Sequence, residues 1–288
     1  MEVRNSHTAK KFSALWRSAH NELIQNIKKK PFVSQYECSV HTNLNGKTVY
    51  LPAYVPYIGP SYFEYRPRIL CYAINQNLSR HTRWTKEWVS RWANDFDCAQ
   101  DRLNNAAHEG VPIPIRPYVE GFIPLTALIS ISHWIKRNGG TLPQMIDDVI
   151  SVTNFVKFST AQDASSSSIP NIWWKECGSA YVRHEIQVLQ PDIILCFGQR
   201  TIKEISHVLN IGSLSKSEPK VLSCRFPARI PSIKGRPLTN PETKIWNEKI
   251  KPLIRRRQKP KENYYHQCKI QKYPGYFIDV INSWDYAF

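Results

Sequence analysis

The sequence predicts an α/β protein, namely a three-layer α/β/α sandwich around a central, mainly parallel sheet of four strands. Two observations predict this class. Short apolar runs with the composition of strands buried on both faces recur along the chain, and segments with helical periodicity separate them. Strands that alternate with helices form parallel βαβ units, whose helices cover the faces of the sheet. The predicted strands are Ile69–Ala73, Asp148–Thr153, Asp192–Phe197 and Val221–Phe226.

Apolar residues at helical spacing predict the helices that join and flank these strands, which are Ala9–Lys29, Leu125–Arg137, Trp173–Leu189, Thr201–Leu209 and Pro241–Arg257. A further stripe carries an aromatic residue every four positions, at Trp84, Trp88, Trp92 and Phe96. We interpret this stripe as a packing face rather than a platform for stacked bases. The elements divide the chain into an N-terminal helix and arm (1–45), an α/β domain (46–257) and a basic linker with a docked C-terminal extension (258–288).

The charge of the chain indicates a polyanionic partner. The sequence has 39 Lys and Arg residues against 23 Asp and Glu residues, which gives a formal net charge of +16. A field of this sign attracts polyanions and steers their association. Nucleic acid is the first candidate and an anionic membrane surface is the second. A charge that only keeps the protein soluble is the alternative.

The seven cysteines are never paired as Cys-x-x-Cys, which fits reduced thiols in a cytoplasmic protein rather than a disulfide framework or a zinc site. Cys71, Cys196 and Cys224 lie in apolar runs, so we predict that they are buried. The sequence shows no apolar signal region and no run of membrane-spanning length. We expect a soluble cytoplasmic protein with no metal, no cofactor, no membrane association and no obligate protein partner.

Polar or otherwise special residues stand at the end of each predicted strand. They are Asn75, Thr153-Asn154, Gly198 and Phe226-Pro227-Ala228-Arg229. Because parallel strands bring their carboxyl ends to one edge of the sheet, these residues are expected to lie together. Open α/β sheets bind ligands in the crevice at that edge, so we predict a site there.

The motifs at these strand ends resemble those of the uracil-DNA glycosylase superfamily over about Ile58–Leu253. Thr153-Asn154-Phe155-Val156-Lys157 is similar to the Thr-Asn-x-Val-Lys motif of the thermophilic branch. The family pattern Glu-Ile-x-x-Leu-x-Pro-x-Ile-Ile-x-x-x-Gly matches this chain from Glu185 to Gly198. Ala73-Ile74-Asn75-Gln76-Asn77 resembles the first motif, Gly-(Ile/Met)-Asn-Pro-Gly, in part. Phe226-Pro227-Ala228-Arg229, or Ile230-Pro231-Ser232 in a second register, is partly similar to the last motif, His-Pro-(Ser/Ala).

The resemblance implies a monofunctional DNA glycosylase, which extrudes a nucleotide from DNA, most often double-stranded, and hydrolyses its base–sugar bond to leave an abasic site. Asn75 would orient the attacking water, and Asn154 would read the edge of the base. Ile74, Gln76, Asn77 and Phe226 would complete the base-binding residues. The predicted DNA contacts are Lys157, Arg225, Arg229, Ile230, Ser232, Lys234 and Arg236. For Lys157 a purely structural role is the alternative to phosphate binding.

Two departures from the family pattern bear on the substrate. Phe226 stands where the family has a histidine that steadies the departing base. Asn77 stands where classical uracil enzymes have a tyrosine that excludes substituents on the pyrimidine 5-position. We therefore expect a 5-substituted pyrimidine as substrate, as for an antiphage glycosylase of the superfamily that removes glucosylated hydroxymethylcytosine from phage DNA. The alternatives are a non-catalytic nucleic-acid-binding protein of this fold, a uracil-removing repair enzyme and a metal-dependent nuclease.

Overall fold

The computed structural model describes residues 13–29, 50–51, 56–74, 122–144, 146–157, 159–160, 171–210, 219–224, 237–256 and 274–285. Its strands are β1 (Tyr50–Leu51), β2 (Tyr57–Ile58), β3 (Ile69–Ala73), β4 (Ile150–Asn154), β5 (Ser159–Thr160), β6 (Ile193–Phe197) and β7 (Lys220–Cys224). Its α-helices are α1 (Ala14–Lys29), α2 (Phe122–Asn138), α3 (Asn171–Cys177), α4 (Arg183–Leu189), α5 (Gln199–Asn210), α6 (Asn240–Ile245), α7 (Lys251–Arg256) and α8 (Pro274–Asp285). Single π-helical turns, Gly178–Val182 and Trp246–Ile250, join α3 to α4 and α6 to α7. The predicted tryptophan stripe from Trp84 to Phe96 lies outside the described residues.

The main sheet has five strands in the order β2-β4-β3-β6-β7. The strands β3, β4, β6 and β7 run parallel, whereas β2 pairs antiparallel with β4 at the edge. The α/β class is therefore confirmed, but the prediction of four strands is wrong, because the sheet is five-stranded and mixed. The pattern from Phe32 to Tyr65 predicts short strands and turns, but it does not assign β2 to the main sheet, because β2 is only two residues long. Strands β1 and β5 form a separate antiparallel pair.

The alternation of side chains along β3 explains why helices lie against both faces of the sheet. Ile69 and Cys71 belong to one apolar cluster, which α2, the α6–α7 segment and α8 cover. Leu70 and Tyr72 belong to a second cluster on the opposite face, which α1, the α3–α4 segment and α5 cover. All five residues of β3 are buried, as are those of β4 and β6. The middle of the sheet therefore has no face open to water.

The boundaries of α2 follow from local signals. The helix predicted over Leu125–Arg137 ends one residue later, at Asn138, where Gly139 follows with a φ of 74°. Glycine adopts this left-handed conformation without a steric penalty. Within the described ranges, no helix has the length and apolar character needed to cross a membrane.

Candidate functional site

The carboxyl ends of the four parallel strands meet at one edge of the sheet. Ala73 at the end of β3 is the register partner of Asn154 at the end of β4. Phe197 at the end of β6 pairs in the same way with Cys224 of β7. From β3 the chain first continues to β4 on one side and then returns to β6 on the other. The strand order therefore reverses between β3 and β6, which is the position at which open α/β sheets bind ligands.

Ile74 and Gly198 lie next to each other where the strand order reverses. Each directly follows a strand, β3 for Ile74 and β6 for Gly198. The Gly198 N–H donates a hydrogen bond of 2.8 Å to the Cys224 carbonyl oxygen. A Cβ atom at Gly198 would lie 3.2 Å from Cδ1 of Ile74, and the residue has a φ of 117°. The backbone conformation therefore favours glycine, and an added Cβ would also crowd the end of the Ile74 side chain.

Replacing Gly198 with alanine is expected to lower the free energy of unfolding by about 1–3 kcal/mol, because the backbone there favours glycine alone. Gly139→Ala is the matched control, since Gly139 also has a positive φ (74°) but an added Cβ would meet nothing within 4 Å. We expect the control to lose about 1 kcal/mol. Urea unfolding of the two variants provides the measurement, and equal losses would show that contact with Ile74 adds nothing.

Asn154 is the predicted base-reading residue, and the structure places it within β4 rather than after it. The residue is only 4% exposed. The two residues that follow are fastened to the neighbouring strand end: Phe155 N–H donates to the Ala73 carbonyl oxygen at 2.8 Å, and Val156 N–H donates to the Ile74 carbonyl oxygen at 2.9 Å. The structure therefore brings two of the predicted site segments, at Ile74 and Asn154, into direct contact.

A buried polar network lies beside these strand ends, in the apolar cluster under α3 and α4. The Lys157 ammonium forms an ion pair of 2.5 Å with Oε1 of Glu185. It also donates a hydrogen bond of 2.7 Å to Oγ1 of Thr153. The other carboxylate oxygen of Glu185, Oε2, accepts a hydrogen bond of 2.9 Å from the Tyr72 hydroxyl. One carboxylate thus contacts a residue of β3 and a residue of the segment that follows β4.

Burial disfavours the charged forms of both Lys157 and Glu185, whereas the charge of each residue stabilises the charged form of the other. Loss of water lowers the pKa of Lys157, while the Glu185 carboxylate acts to raise it. Loss of water raises the pKa of Glu185, while Lys157 and the Tyr72 hydroxyl act to lower it. Burial also raises the pKa of Tyr72 well above its ordinary value, so Tyr72 keeps its proton and its hydroxyl donates a hydrogen bond to the carboxylate. The ionised pair therefore depends on both partners.

The position of Lys157 bears on the two roles that the sequence left open. Its side chain is 1% exposed and the Glu185 side chain is 4% exposed. Its ammonium lies 5.7 Å from the centre of the Tyr72 ring and contacts Glu185 and Thr153. These contacts enclose the charge inside the protein, so in this conformation Lys157 acts as a structural residue and does not present its charge to a phosphate.

The buried cysteines behave as the sequence predicted. Cys71, Cys196 and Cys224 are buried free thiols, and so is Cys177, whose Sγ accepts the Lys157 N–H at 3.4 Å. Burial raises the pKa of Cys177 and of Cys224 to about 12. Since the thiolate is the reactive form, these thiols are expected to be inert at neutral pH.

We expect a thiol reagent such as iodoacetamide to modify these four cysteines only after the protein unfolds. Peptide mass spectrometry at pH 8, with and without urea, assigns the label to each cysteine separately. Labelling of Cys177 in the native protein at the rate of a free peptide thiol would contradict the burial described above.

The other predicted site residues lie outside the described residues. They are the proposed catalytic residue Asn75, the base-binding residues Gln76, Asn77 and Phe226, and the DNA-binding residues Arg225, Arg229, Ile230, Ser232, Lys234 and Arg236. Of the predicted site, the structure thus describes Ile74, Asn154 and Lys157. Among the described residues, no group of three or more His, Cys, Asp and Glu side chains is arranged to hold a metal ion.

Sequence reasoning missed the roles of Tyr72 and Glu185. The available signal was the spacing of Glu185, four residues after Tyr181 and four before Leu189, which puts a carboxylate on the apolar face of the helix, where a charged residue requires a partner. It also missed Arg200, two positions after Gly198. The Arg200 guanidinium stacks 4.7 Å from the centre of the Trp174 ring and donates a hydrogen bond of 2.7 Å to Oδ1 of Asn171.

The chain was compared with protein-family models, with curated proteins and with solved structures. None of the three comparisons gives a match.

Proposed function

We propose that the chain is a monofunctional DNA glycosylase, which extrudes a nucleotide and hydrolyses its base–sugar bond to leave an abasic site. The observation that carries the proposal is the contact between its two most family-like stretches. Thr153–Lys157 and the stretch from Glu185 to Gly198 are joined by the Lys157–Glu185 ion pair. Both reach the carboxyl edge of the sheet, where Ile74 leads directly into Asn75. Residues that match the motifs in sequence therefore form one structural unit at a ligand-binding position.

The fold and the charge support the same proposal. Apolar clusters and helices on both faces of a sheet with four parallel strands are what a glycosylase-like three-layer sandwich requires. The net charge of +16 suits a DNA substrate. A glycosylase must also hold the flipped base at one place on the protein, and Asn154, the last residue of β4 and the register partner of Ala73, lies at the carboxyl edge where we propose that the base binds.

The proposed mechanism assigns different work to the two asparagines. The Asn75 amide orients the attacking water but is too weak a base to deprotonate it early. The base–sugar bond therefore breaks largely before the water attacks, through an oxocarbenium-like sugar. Catalysis then depends on positioning and on stabilisation of the departing base anion. Asn154 offers one donor and one acceptor group to the base edge, which fixes the base during bond cleavage.

The proposed substrate is a pyrimidine with a polar group at the 5-position, such as the glucosylated hydroxymethylcytosine of phage DNA. Gln76 and Asn77 are both polar, and Asn77 is smaller than the tyrosine that walls this position in uracil enzymes. An amide pair can hydrogen-bond hydroxyl groups of the substituent. A role in antiphage defence follows from this substrate.

The test is a base-release assay on duplexes that carry uracil, hydroxymethylcytosine, its glucosylated form or unmodified cytosine. We expect abasic sites from the glucosylated duplex, and at least about a hundredfold slower release by Asn75→Ala, because a misplaced water costs that much. Asn210→Ala is the matched control, since Asn210 is an exposed asparagine at the end of α5. It should keep the wild-type rate.

Three outcomes would contradict parts of the proposal. Efficient release of uracil with glucosylated DNA left intact would replace the proposed substrate with that of a repair enzyme. Retarded DNA mobility without release of any base would indicate a non-catalytic DNA-binding protein. Direct nicking that depends on a divalent metal would indicate a nuclease.

A further inference from the structure

The Glu185 carboxylate makes one contact toward each half of the proposed site. Its Oε2 accepts from the hydroxyl of Tyr72, a residue of β3 that stands two positions before Ile74. Its Oε1 pairs with the ammonium of Lys157, which stands three positions after Asn154. Tyr72 and Thr153 are also direct register partners in the sheet. The carboxylate, carried by α4, therefore spans β3 and β4, which end at Ala73 and Asn154.

The network adds to a connection that the backbone already makes at the edge. Phe155 and Val156 donate hydrogen bonds to the carbonyl oxygens of Ala73 and Ile74, at 2.8 and 2.9 Å. These two bonds set where Ile74 lies relative to Asn154. Lys157 follows directly, and its side chain folds back onto Thr153 at 2.7 Å. The Lys157 side chain therefore links the two ends of the segment from Thr153 to Lys157. Glu185 neutralises the charge of that side chain.

We infer that Glu185 is a positioning residue, which holds the Ile74 and Asn154 segments in a fixed relative placement through Tyr72 on one side and Lys157 on the other. The inference rests on the proposed function, because the placement matters for catalysis only if Asn75 and Asn154 act on one nucleotide. Glu185 does not touch the substrate. Its effect on the rate arises because a small displacement of a positioned water or base is costly.

Asp192 offers a matched control at the amino ends of the strands, on the side of the sheet opposite the proposed site. Asp192, just before β6, accepts the Arg68 backbone N–H at 2.7 Å and forms an ion pair with Arg66. It thus also joins two strands, β3 and β6, by a carboxylate, but at their amino ends. The Ile193 N–H donates a hydrogen bond of 3.1 Å to the Arg68 carbonyl oxygen, so exchange of this amide reports how firmly β3 and β6 are joined at their amino ends. Removing the Glu185 carboxylate should loosen the carboxyl ends of the strands, and removing the Asp192 carboxylate should loosen their amino ends. In each variant, amide exchange at the unaffected end serves as the internal reference.

The experiment compares Glu185→Gln and Tyr72→Phe with Asp192→Asn by two readouts. The first is amide hydrogen exchange, in which we expect Phe155 and Val156 to exchange about five- to tenfold faster in the first two variants relative to Ile193. Asp192→Asn should give the reverse pattern.

The second readout is steady-state base release, in which Glu185→Gln should lower kcat about tenfold or more with KM for DNA little changed. Asp192→Asn should keep the wild-type kcat at a temperature where all variants are folded.

The results separate this inference from the proposed function. If exchange at Phe155 and Val156 rises no more in Glu185→Gln than in Asp192→Asn, the positioning role is overturned, whatever the base-release assay gives. If exchange rises as expected but kcat is unchanged in an active enzyme, the role in catalysis is overturned. If the wild-type chain releases no base from any duplex, the proposed function fails, and the exchange pattern alone decides whether Glu185 joins the two segments.

Discussion

Replacing Lys157 with methionine is expected to lower the free energy of unfolding by about 3–5 kcal/mol. The substitution fills a similar volume but removes the partner of Glu185, whose carboxylate would stay buried beside Tyr72. An uncompensated buried charge is strongly destabilising, and a loss of this size is what removal of one member of a buried pair typically costs. The unfolding midpoint in urea at pH 7 gives the measurement.

The double variant Lys157→Met/Glu185→Leu distinguishes a cost of lost charge pairing from a cost of altered packing. Replacing both charges with apolar side chains of similar volume is often neutral, so we expect it to recover most of the stability that Lys157→Met loses. The hydroxyl of Tyr72 would lose its acceptor, which leaves a residual deficit of about 1 kcal/mol. A double variant as unstable as the single one would show that shape, and not charge, makes Lys157 necessary.

Under the proposed function, replacing Asn154 with alanine is expected to lower kcat/KM for base release by about ten- to a hundredfold, because the base edge would lose both a donor and an acceptor. Asn154→Asp is the sharper variant, since it keeps the shape and the acceptor but removes the donor. It should also be strongly impaired, with DNA affinity close to that of the wild type. The measurement is single-turnover base release alongside a gel-shift titration.

Two results bear against the assignment of Asn154. Retention of the wild-type kcat/KM by both variants would remove Asn154 from base recognition. Loss of activity that follows loss of folding would give it a structural role only. Circular dichroism of each variant at the assay temperature therefore accompanies the kinetics.

The sequence predicted the strands at the centre of the sheet well because their signal is local. Ile69–Ala73 was predicted with the observed bounds, and β6 differs by one residue, since both are short apolar runs between polar residues. The predicted strand ends at Thr153, one residue before the observed end of β4, because Asn154 is polar. Asn154 belongs to the strand because the register with Ala73 continues through it. Pairing, which depends on another strand, decided that boundary.

The candidate site could be predicted only in part, because its organisation depends on contacts between residues distant in sequence. The strand ends were correctly placed along one edge, since parallel strands require it. The environment of Lys157 could not be predicted, because a lysine in a motif gives no indication that Glu185 will enclose it. Likewise, the contact of Ile74 with Gly198 follows from the reversal of strand order, which no local pattern encodes. For Asn75, the central catalytic assignment, the sequence remains the source of the prediction.

The most direct test of the account is to find where the target nucleotide contacts the protein. A duplex with the photoreactive base 5-iodouracil at the target position can be crosslinked to the chain, and the modified peptide can be identified by mass spectrometry. The account predicts attachment at the carboxyl edge of the sheet, within Ile74–Asn77, at Asn154 or at Phe226. Attachment at the amino ends of the strands, around Arg66–Arg68 or Lys220, would contradict it.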